Sequence, residues 1–312
     1  MSRRSSNEGL HSEPLRAALA SALAGKPEAL EDLLSRLGDG HGARPNLRLA
    51  AAFGAELSAL PGNPSRLLDR LGANDGAPDT PEVFLPIAAA HGWVGRLRAD
   101  HLGSPRDREV GAAWAALATL AGDERAPVRL GTLDALASFA GRPGGGRALL
   151  AQALDWLELD DREIRFGAAG VVVEVFANRQ VLAGVGDPET LLDYLSRAIA
   201  AVAGAPRAAE RSDARRRLLL ALPRTLAGVA AGLRAGERGA AWLEEECRNT
   251  RHPDLREALS KTILIRADKS SGQGAVLAQT LRAALEGSAK PPRDPTRKRP
   301  GAARGRSSRP IR

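Results

Sequence analysis

The chain has 312 residues, of which 43% are hydrophobic and only 3% aromatic, so a folded core must consist mainly of alanine, leucine and valine. Its net charge is +8, and a single cysteine, Cys247, excludes a disulfide framework and a zinc cluster of thiolates. No apolar stretch of about 18 uncharged residues is present, so we expect no transmembrane helix and no membrane partner. The lone thiol favours a cytoplasmic location.

Helical periodicity and turn signals extend over almost the whole chain, which predicts an all-α protein. Residues 1–9 are predicted to be disordered, residues 10–286 to form a helical domain, and residues 287–312 to form a disordered basic tail. The predicted helices lie near 13–24, 27–37, 46–59, 64–71, 81–91, 105–121, 127–140, 147–158, 162–178, 188–203, 208–233, 238–249, 253–267 and 274–286, the last acting as a cap.

Several predicted helices begin with a capping residue followed by proline: Asn63-Pro64, Thr80-Pro81, Ser104-Pro105 and Asp187-Pro188. Proline is tolerated at the first helical position because its missing N–H would have no helical partner there. The side chain before it can cap the helix. Pro86 and Pro223 lie inside predicted helices, and we expect each to kink or divide its helix.

Two features recur at roughly 40-residue spacing, clearest over 105–267. One helix of each predicted pair carries a large aromatic residue, at separations of 42, 38 and 48 residues: Trp114, Trp156, Tyr194 and Trp242. The second helix starts with an apolar residue and an arginine: Val128-Arg129, Ile164-Arg165, Ala214-Arg215 and Leu255-Arg256. Such repetition predicts helix pairs that stack on their neighbours. We expect the aromatics to pack between helices, and the arginines to reach the preceding turn or repeat and pair with acids such as Asp123 or Asp161.

The second helices of these pairs resemble a known repeat family. Asp123, Val128-Arg129 and Ala135-Leu136 look like the second helix of a HEAT-type repeat, and so does the segment HPDLREAL at 252–259. The resemblance covers 105–267 well and 10–104 loosely. It implies a right-handed α-solenoid of HEAT-like helix pairs, an architecture shared by scaffolds, carriers and DNA-binding enzymes, so it indicates fold more than function.

A second resemblance is to HEAT-like alkylpurine DNA glycosylases, which place tryptophans and a carboxylate beside the damaged nucleotide. Trp93, Asp100 and Trp114 are the candidates in this chain. Trp114 is followed at i+4 by Ala118 rather than by an acid, and residues 1–286 carry no net charge where that family needs a basic face. This resemblance supplies the alternative function, a DNA-binding protein or an alkylpurine DNA glycosylase in DNA repair.

The positive charge is concentrated in the tail, where residues 287–312 hold nine basic residues and one acid. Flexible cations neutralise phosphates without sequence preference, so we predict contact with nucleic acid or another polyanion. The tail residues predicted to bind are Lys290, Arg293, Arg297, Lys298, Arg299, Arg304 and Arg306. Arg207, Arg211 and Arg215 form a second predicted site, spaced i, i+4 and i+8 on one helix face. The alternatives are a solubilising terminus and a solvated helix face.

Residues with catalytic or metal-binding chemistry are few. Five histidines are scattered without metal-ligand spacing, and Cys247 follows three glutamates, whose charge raises a thiol pKa. We therefore predict no catalytic residue, no metal and no cofactor. The favoured function is a non-catalytic HEAT-like interaction scaffold. It would bind a protein or peptide on its repeat surface, with nucleic acid or another polyanion held by the tail.

Overall fold

A computed structural model of the chain describes residues 12–38, 44–97, 108–232, 236–268 and 273–288. Within these ranges every regular element is a helix and none is a strand, which confirms the all-α prediction. The α-helices are α1 (Ser12–Leu23), α2 (Glu28–Gly38), α3 (Leu47–Ala59), α4 (Ser65–Gly72), α5 (Phe84–Arg96), α6 (Arg108–Gly122), α7 (Ala126–Ala140), α8 (Gly145–Trp156), α9 (Arg162–Ala177), α10 (Arg179–Ala183), α11 (Pro188–Ala203), α12 (Asp213–Gly232), α13 (Gly236–Asn249), α14 (Pro253–Asp268) and α15 (Gln273–Gly287). Short 3-10 helices cover Pro81–Val83 and Arg207–Arg211.

Side-chain caps explain where several helices begin. Asp187 accepts hydrogen bonds from the backbone N–H of Thr190 at 3.2 Å and from its hydroxyl at 2.7 Å. The predicted start of α11 is thereby confirmed, because this cap satisfies an N–H that the helix itself leaves unpaired. Asp161 caps α9 through two first-turn N–H groups in the same way. The predicted start at Ser104-Pro105 lies outside the described residues.

Neither proline predicted to interrupt a helix divides one. Pro86 is the third residue of α5, in the first turn, where a missing N–H costs no helical hydrogen bond. Pro223 lies inside α12, which continues from Asp213 to Gly232. We attribute this continuity to packing, because α12 is held against α9, α13 and α14 and its Thr225 hydroxyl donates to an α9 carbonyl at 2.7 Å.

The predicted helix 208–233 is wrong at its start. Arg207–Arg211 is a 3-10 helix, Ser212 is extended with ψ of 128°, and α12 begins only at Asp213. The Ser212 hydroxyl accepts a hydrogen bond from the N–H of Arg215 at 3.2 Å, so this serine caps α12. Sequence analysis also misses α10, because five residues are too few to show a helical period.

The helices contact one another largely in chain order. Six of them, called the main row here, are α3, α5, α7, α9, α12 and α14, each packed against the next. Other helices pack onto this row: α6 on α7 and α9, α8 on α7 and α9, and α13 on α12. One continuous cluster of buried apolar side chains extends from Leu15 to Leu285. None of the helices in the described ranges is long and apolar enough to cross a membrane.

The recurring aromatic residues lie between helices, as predicted. Trp114 of α6 packs edge-on against Phe139 of α7 and Trp156 of α8, with ring centroids 5.4 and 6.0 Å away. Tyr194 of α11 is fully buried, and its hydroxyl donates to an α9 carbonyl at 3.3 Å. Trp242 of α13 is partly buried against the same core. The aromatic series is therefore a packing feature of successive helices.

Neighbouring helices of the main row approach closely where glycines face a backbone. A Cβ atom on Gly95 of α5 would lie 2.4 Å from the carbonyl oxygen of Gly54 in α3. A Cβ atom on Gly54 would lie 2.4 Å from the carbonyl oxygen of His91. Because Cβ atoms essentially never approach other atoms within 3.0 Å, any side chain here must separate the two helices.

We predict that Gly95→Ala lowers the free energy of unfolding by about 1–3 kcal/mol, because the new methyl group overpacks the α3–α5 contact. The matched control is Gly111→Ala on α6, where nothing lies within 4 Å of the new Cβ. We expect this control to be neutral or more stable by up to about 1 kcal/mol, since alanine favours a helix over glycine. Urea unfolding followed by circular dichroism measures both. Equal effects of the two substitutions would contradict the close contact.

Candidate functional site

Two of the recurring arginines bind backbone carbonyls of the turn before their helix. Nη1 of Arg129 donates to the carbonyl oxygens of Asp123 and Glu124 at 2.8 and 2.6 Å. Nη1 of Arg256 donates to the carbonyl oxygen of Thr250 at 3.4 Å, again six residues earlier. Carbonyls at a helix end lack helical partners, so these arginines satisfy them. The prediction that they reach the preceding turn is confirmed.

The acids predicted to pair with these arginines have other roles. The carboxylate of Asp123 binds Arg125 through two hydrogen bonds of 3.0 and 2.7 Å. Asp161 caps α9 instead of pairing with Arg165. The Arg165 guanidinium lies over the ring of Phe166, 5.5 Å from its centroid. The prediction that the recurring arginines pair with these two carboxylates is therefore wrong.

Arg215 of the predicted basic site is almost completely buried, with 1% of its surface exposed. Its Nη1 donates to the Asp254 carboxylate at 2.9 Å, and its Nη2 donates to the carbonyl of Val202 at 3.5 Å. Nη2 also lies 3.4 Å from Nε2 of His252. This guanidinium connects α11, α12 and the first turn of α14, so it is a structural group that a polyanion does not reach.

The predicted alignment of Arg207, Arg211 and Arg215 on one helix face is wrong. The break at Ser212 separates the first two, on a 3-10 helix, from the third, on α12. Arg207 and Arg211 are exposed, and their contact with a polyanion stays a prediction.

The basic tail lies outside the described residues, and its predicted binding residues stay predictions: Lys290, Arg293, Arg297, Lys298, Arg299, Arg304 and Arg306. The described chain reaches Ser288, which is buried. The Ser288 hydroxyl donates to the carbonyl of Leu285 at 2.7 Å and accepts a hydrogen bond from Arg256. The packed part of the chain thus extends two residues beyond the predicted domain end at 286.

The tryptophans of the glycosylase resemblance lie inside the core. Trp93 is 1% exposed and Trp114 is 6% exposed, and Asp100 lies outside the described residues. An enzyme that flips a base out of a duplex stacks it against accessible aromatic or apolar side chains. These two rings offer no such face, so the described residues give no support to a nucleobase pocket around them.

Two reactive side chains are buried in a neutral form. Burial lowers the pKa of His91 to about 4, and the Asp134 carboxylate lies 3.7 Å from its Nε2. Burial, and then the charge of two neighbouring glutamates, raises the pKa of Cys247 to about 12. At neutral pH His91 is a weak base and Cys247 is not a thiolate, so neither is prepared for catalysis. The described part of the chain contains no cluster of three or more potential metal ligands.

A groove between three helices of the main row combines apolar and charged side chains. This central groove has a volume of about 240 Å³. Its lining includes Arg129, Leu130 and Leu133 of α7, Gly170 and Glu174 of α9, and Arg217 and Leu220 of α12. Helices α9 and α12 lie side by side at Gly170, since a Cβ there would be in ordinary van der Waals contact with the α12 backbone at 3.5 Å.

The charged groups of the central groove lie in a poorly solvated environment. Burial lowers the pKa of Arg129, and the positive charge of Arg217 lowers it further. Burial raises the pKa of Glu174 and outweighs the attraction of Arg224 and Arg129. The solvent-accessible surface of Glu174 is large enough for the residue to count as exposed. Its carboxylate nevertheless lies between the walls of the groove, and we attribute the raised pKa to this concave, poorly solvated position.

The ion pairs that would neutralise these charges are missing from the described residues. Arg217 makes no hydrogen bond or ion pair there, and its Nε is buried without a partner. No arginine or lysine nitrogen described lies within 4.0 Å of the Glu174 carboxylate. Arg165, Arg215 and Arg266 also have a buried Nε without a partner, but Arg217 differs from Arg215 in that no other atom of its guanidinium is paired among the described residues. Buried polar groups in folded proteins normally have partners, so the groove is a candidate place for a ligand that supplies them.

Exposed leucines complete the central groove. Leu130 is 41% exposed and Leu220 is 69% exposed. Covering a leucine side chain completely contributes about 1.5–3 kcal/mol, so these two can add substantially to binding. Apolar contacts beside arginine are typical of the centre of protein interfaces.

Four residues of the central groove were not identified from the sequence: Leu130, Glu174, Arg217 and Leu220. Two signals could have indicated them. Glu174 is the single charged residue in the apolar run GVVVEVFA at 170–177. Arg217 and Leu220 share a face of α12 at i, i+3 spacing. The proximity of residues from three separate helices, however, is a property of the packing.

A second groove, of about 640 Å³, lies between α11 and the α13–α14 connection. Two of its polar lining residues, Ser196 and Glu246, already bind each other. The Ser196 hydroxyl donates to the Glu246 carboxylate at 2.7 Å and accepts a hydrogen bond from Nε1 of Trp242 at 2.9 Å. The central groove is therefore the better candidate for a binding site, because its donors still need acceptors.

A comparison of this chain with protein-family models finds no match, and a comparison with curated protein sequences finds none either. The function therefore has to be argued from the geometry and chemistry of the chain itself.

We predict that Arg215→Met lowers the free energy of unfolding by about 2–4 kcal/mol, because it leaves the Asp254 carboxylate without its partner. This is below the cost for a fully buried pair, since the Asp254 side chain is 34% exposed. The control is Arg216→Met, which removes an exposed pair with Asp213 and should cost less than about 0.5 kcal/mol. Thermal and urea unfolding of both variants tests this. Equal stability of the two variants would show that Arg215 is not structural.

Proposed function

We propose that this chain is a non-catalytic HEAT-like scaffold, a right-handed α-solenoid that binds a protein or peptide in the central groove. The chain-order packing of the main row supports the solenoid, because in stacked repeats each unit contacts its neighbours. The lone buried Cys247 is compatible with the reducing cytoplasm that we propose as its location. The observation that carries the binding role is the mixed chemistry of the central groove.

A protein ligand suits this groove better than a nucleic acid does. Nucleic-acid grooves follow the phosphate backbone with continuous positive charge and stack bases on aromatic side chains. The central groove has Glu174 among its cations and no aromatic residue in its lining. Contact of the exposed Leu130 and Leu220 with phosphates would bury no apolar surface of the ligand and would not stabilise the complex. Contact with apolar side chains of a peptide would remove apolar surface of both partners from water.

We predict that a photo-crosslinking amino acid at position 220 forms an adduct with a protein in native extract. The matched control is the same amino acid at position 264, because Leu264 of α14 is 62% exposed but does not line the groove. We expect a discrete adduct from position 220 and a much weaker one from position 264, measured by gel shift and mass spectrometry. Circular dichroism checks that both variants are folded. Absence of an adduct at 220, or equal adducts at both positions, would contradict binding in the groove.

We further propose that the basic tail contacts nucleic acid or another polyanion, because it carries nine basic residues and a single acid. Truncation should follow Ser288, since that residue packs against Arg256 and Leu285. We expect the truncated chain to bind duplex DNA more weakly than the full chain. The slope of log affinity against log salt should also fall, by about 0.9 for each lost phosphate contact. Fluorescence anisotropy across a salt series measures both, and an unchanged affinity and slope would refute the role of the tail.

A further inference from the structure

Two guanidinium groups of the central groove have donors without acceptors. Arg129 uses its Nη1 for two carbonyl oxygens at 2.8 and 2.6 Å, and its remaining N–H groups make no hydrogen bond to described residues. Arg217 makes none at all among those residues, and its Nε is buried. The two like charges also repel each other across the groove, which costs free energy in a poorly solvated environment. A carboxylate that bound both would remove the repulsion and supply acceptors for charge-assisted hydrogen bonds.

The described residues do not supply that carboxylate. Glu174 lines the same groove but forms no ion pair within 4.0 Å with any described residue. Asp123 lies in the turn that Arg129 reaches, but its carboxylate is engaged by Arg125 at 2.7 Å. An external acid is therefore needed to pair with Arg129 and Arg217.

The surroundings of the two arginines restrict the kind of acid that fits. Glu174 repels a polyphosphate, which carries a charge at every unit, but tolerates one carboxylate flanked by neutral groups. The Glu174 carboxylate can also accept a hydrogen bond from a peptide N–H. The volume of about 240 Å³ lies below the roughly 300 Å³ at which pockets for small molecules begin, so it suits one or two side chains.

The apolar wall supplies the second contact. Leu130 and Leu220 belong to α7 and α12, the same helices that carry Arg129 and Arg217. An aliphatic side chain next to the bound carboxylate would cover these leucines, which are 41% and 69% exposed.

We infer, resting on the proposed function, that the central groove receives an acidic segment of a partner protein. A carboxylate of this segment pairs with Arg129 and Arg217, and a neighbouring aliphatic side chain packs on Leu130 and Leu220. The carboxylate gives specificity, because it is the group that satisfies the two arginines. The aliphatic side chain distinguishes this ligand from acidic polymers that lack apolar groups.

The test uses the full chain and fluorescein-labelled peptides of the composition (Gly-Asp-Leu)4 and (Gly-Asp-Ser)4, in which neutral residues flank every carboxylate, with (Gly-Lys-Leu)4 and a 12-nucleotide poly-dT strand as further probes. Fluorescence anisotropy at physiological salt measures each affinity, so that weak contacts with the tail are screened. We expect (Gly-Asp-Leu)4 to bind about tenfold more tightly than (Gly-Asp-Ser)4, and (Gly-Lys-Leu)4 not to bind. Arg217→Gln should weaken (Gly-Asp-Leu)4 binding about tenfold, the size of one lost charge-assisted hydrogen bond.

The matched control is Arg216→Gln, because Arg216 is the exposed neighbour on α12 and pairs with Asp213 outside the groove. The Arg216→Gln variant should bind the peptide as tightly as the unchanged chain does. Its affinity for poly-dT should equal that of Arg217→Gln. Equal losses in both variants, no loss in Arg217→Gln, or equal binding of the leucine and serine peptides would overturn the inference. So would a larger loss for poly-dT than for the peptide.

Binding in the central groove and pairing of a carboxylate with its arginines can be tested separately. If position 220 crosslinks a protein and Arg217→Gln does not reduce that adduct, the groove binds a partner but not through this carboxylate. If position 220 yields no adduct, the proposed function itself fails.

Discussion

Adjacent helices of the main row lie so close at Gly54 and Gly95 that one added methyl group would meet a backbone carbonyl oxygen at 2.4 Å. Helices α6 and α9 meet in the same manner, because a Cβ on Gly167 would lie 2.6 Å from the Cα of Gly122. Only 3% of the residues are aromatic, so few bulky side chains are available to fill the space between helices. Small residues allow the helix backbones to approach closely instead, and the core is packed in that way. Gly167 and Gly170 of α9 also line the central groove.

The arginines divide into structural and binding groups according to what satisfies them. Arg215 and Arg256 are held by carbonyls or a carboxylate of the chain, and their removal would leave buried polar groups without partners. Arg129 belongs to both groups, because one of its nitrogens holds a turn while the others have no acceptor in the part of the chain that the structure describes. Arg217 has no partner among the described residues. The net charge of the whole chain does not predict which arginines are structural and which can bind a ligand, because that depends on the acceptors that each guanidinium reaches.

Local signals of the sequence correctly predicted most of the helices, the cap at Asp187 and the burial of Trp114 and Tyr194, since these depend on neighbouring residues and on the spacing of apolar positions. The basic stripe ending at Arg215 was wrong because a single capping residue, Ser212, interrupts the helix. The central groove could not be predicted, because its residues come from three helices whose distance depends on backbone contacts.

The ionisation of Glu174 reports directly whether the cations of the central groove are left without a neutralising carboxylate by the described residues. An ion pair with Arg129 or Arg217 would lower the pKa of its carboxyl below the ordinary glutamate value of 4.5, whereas burial without a partner raises it. The measurement is an NMR titration of the side-chain carboxyl carbon, assigned by comparison with Glu174→Gln. We predict a pKa above the ordinary glutamate value. A pKa below it would show that Glu174 already neutralises the arginines, and would contradict the account.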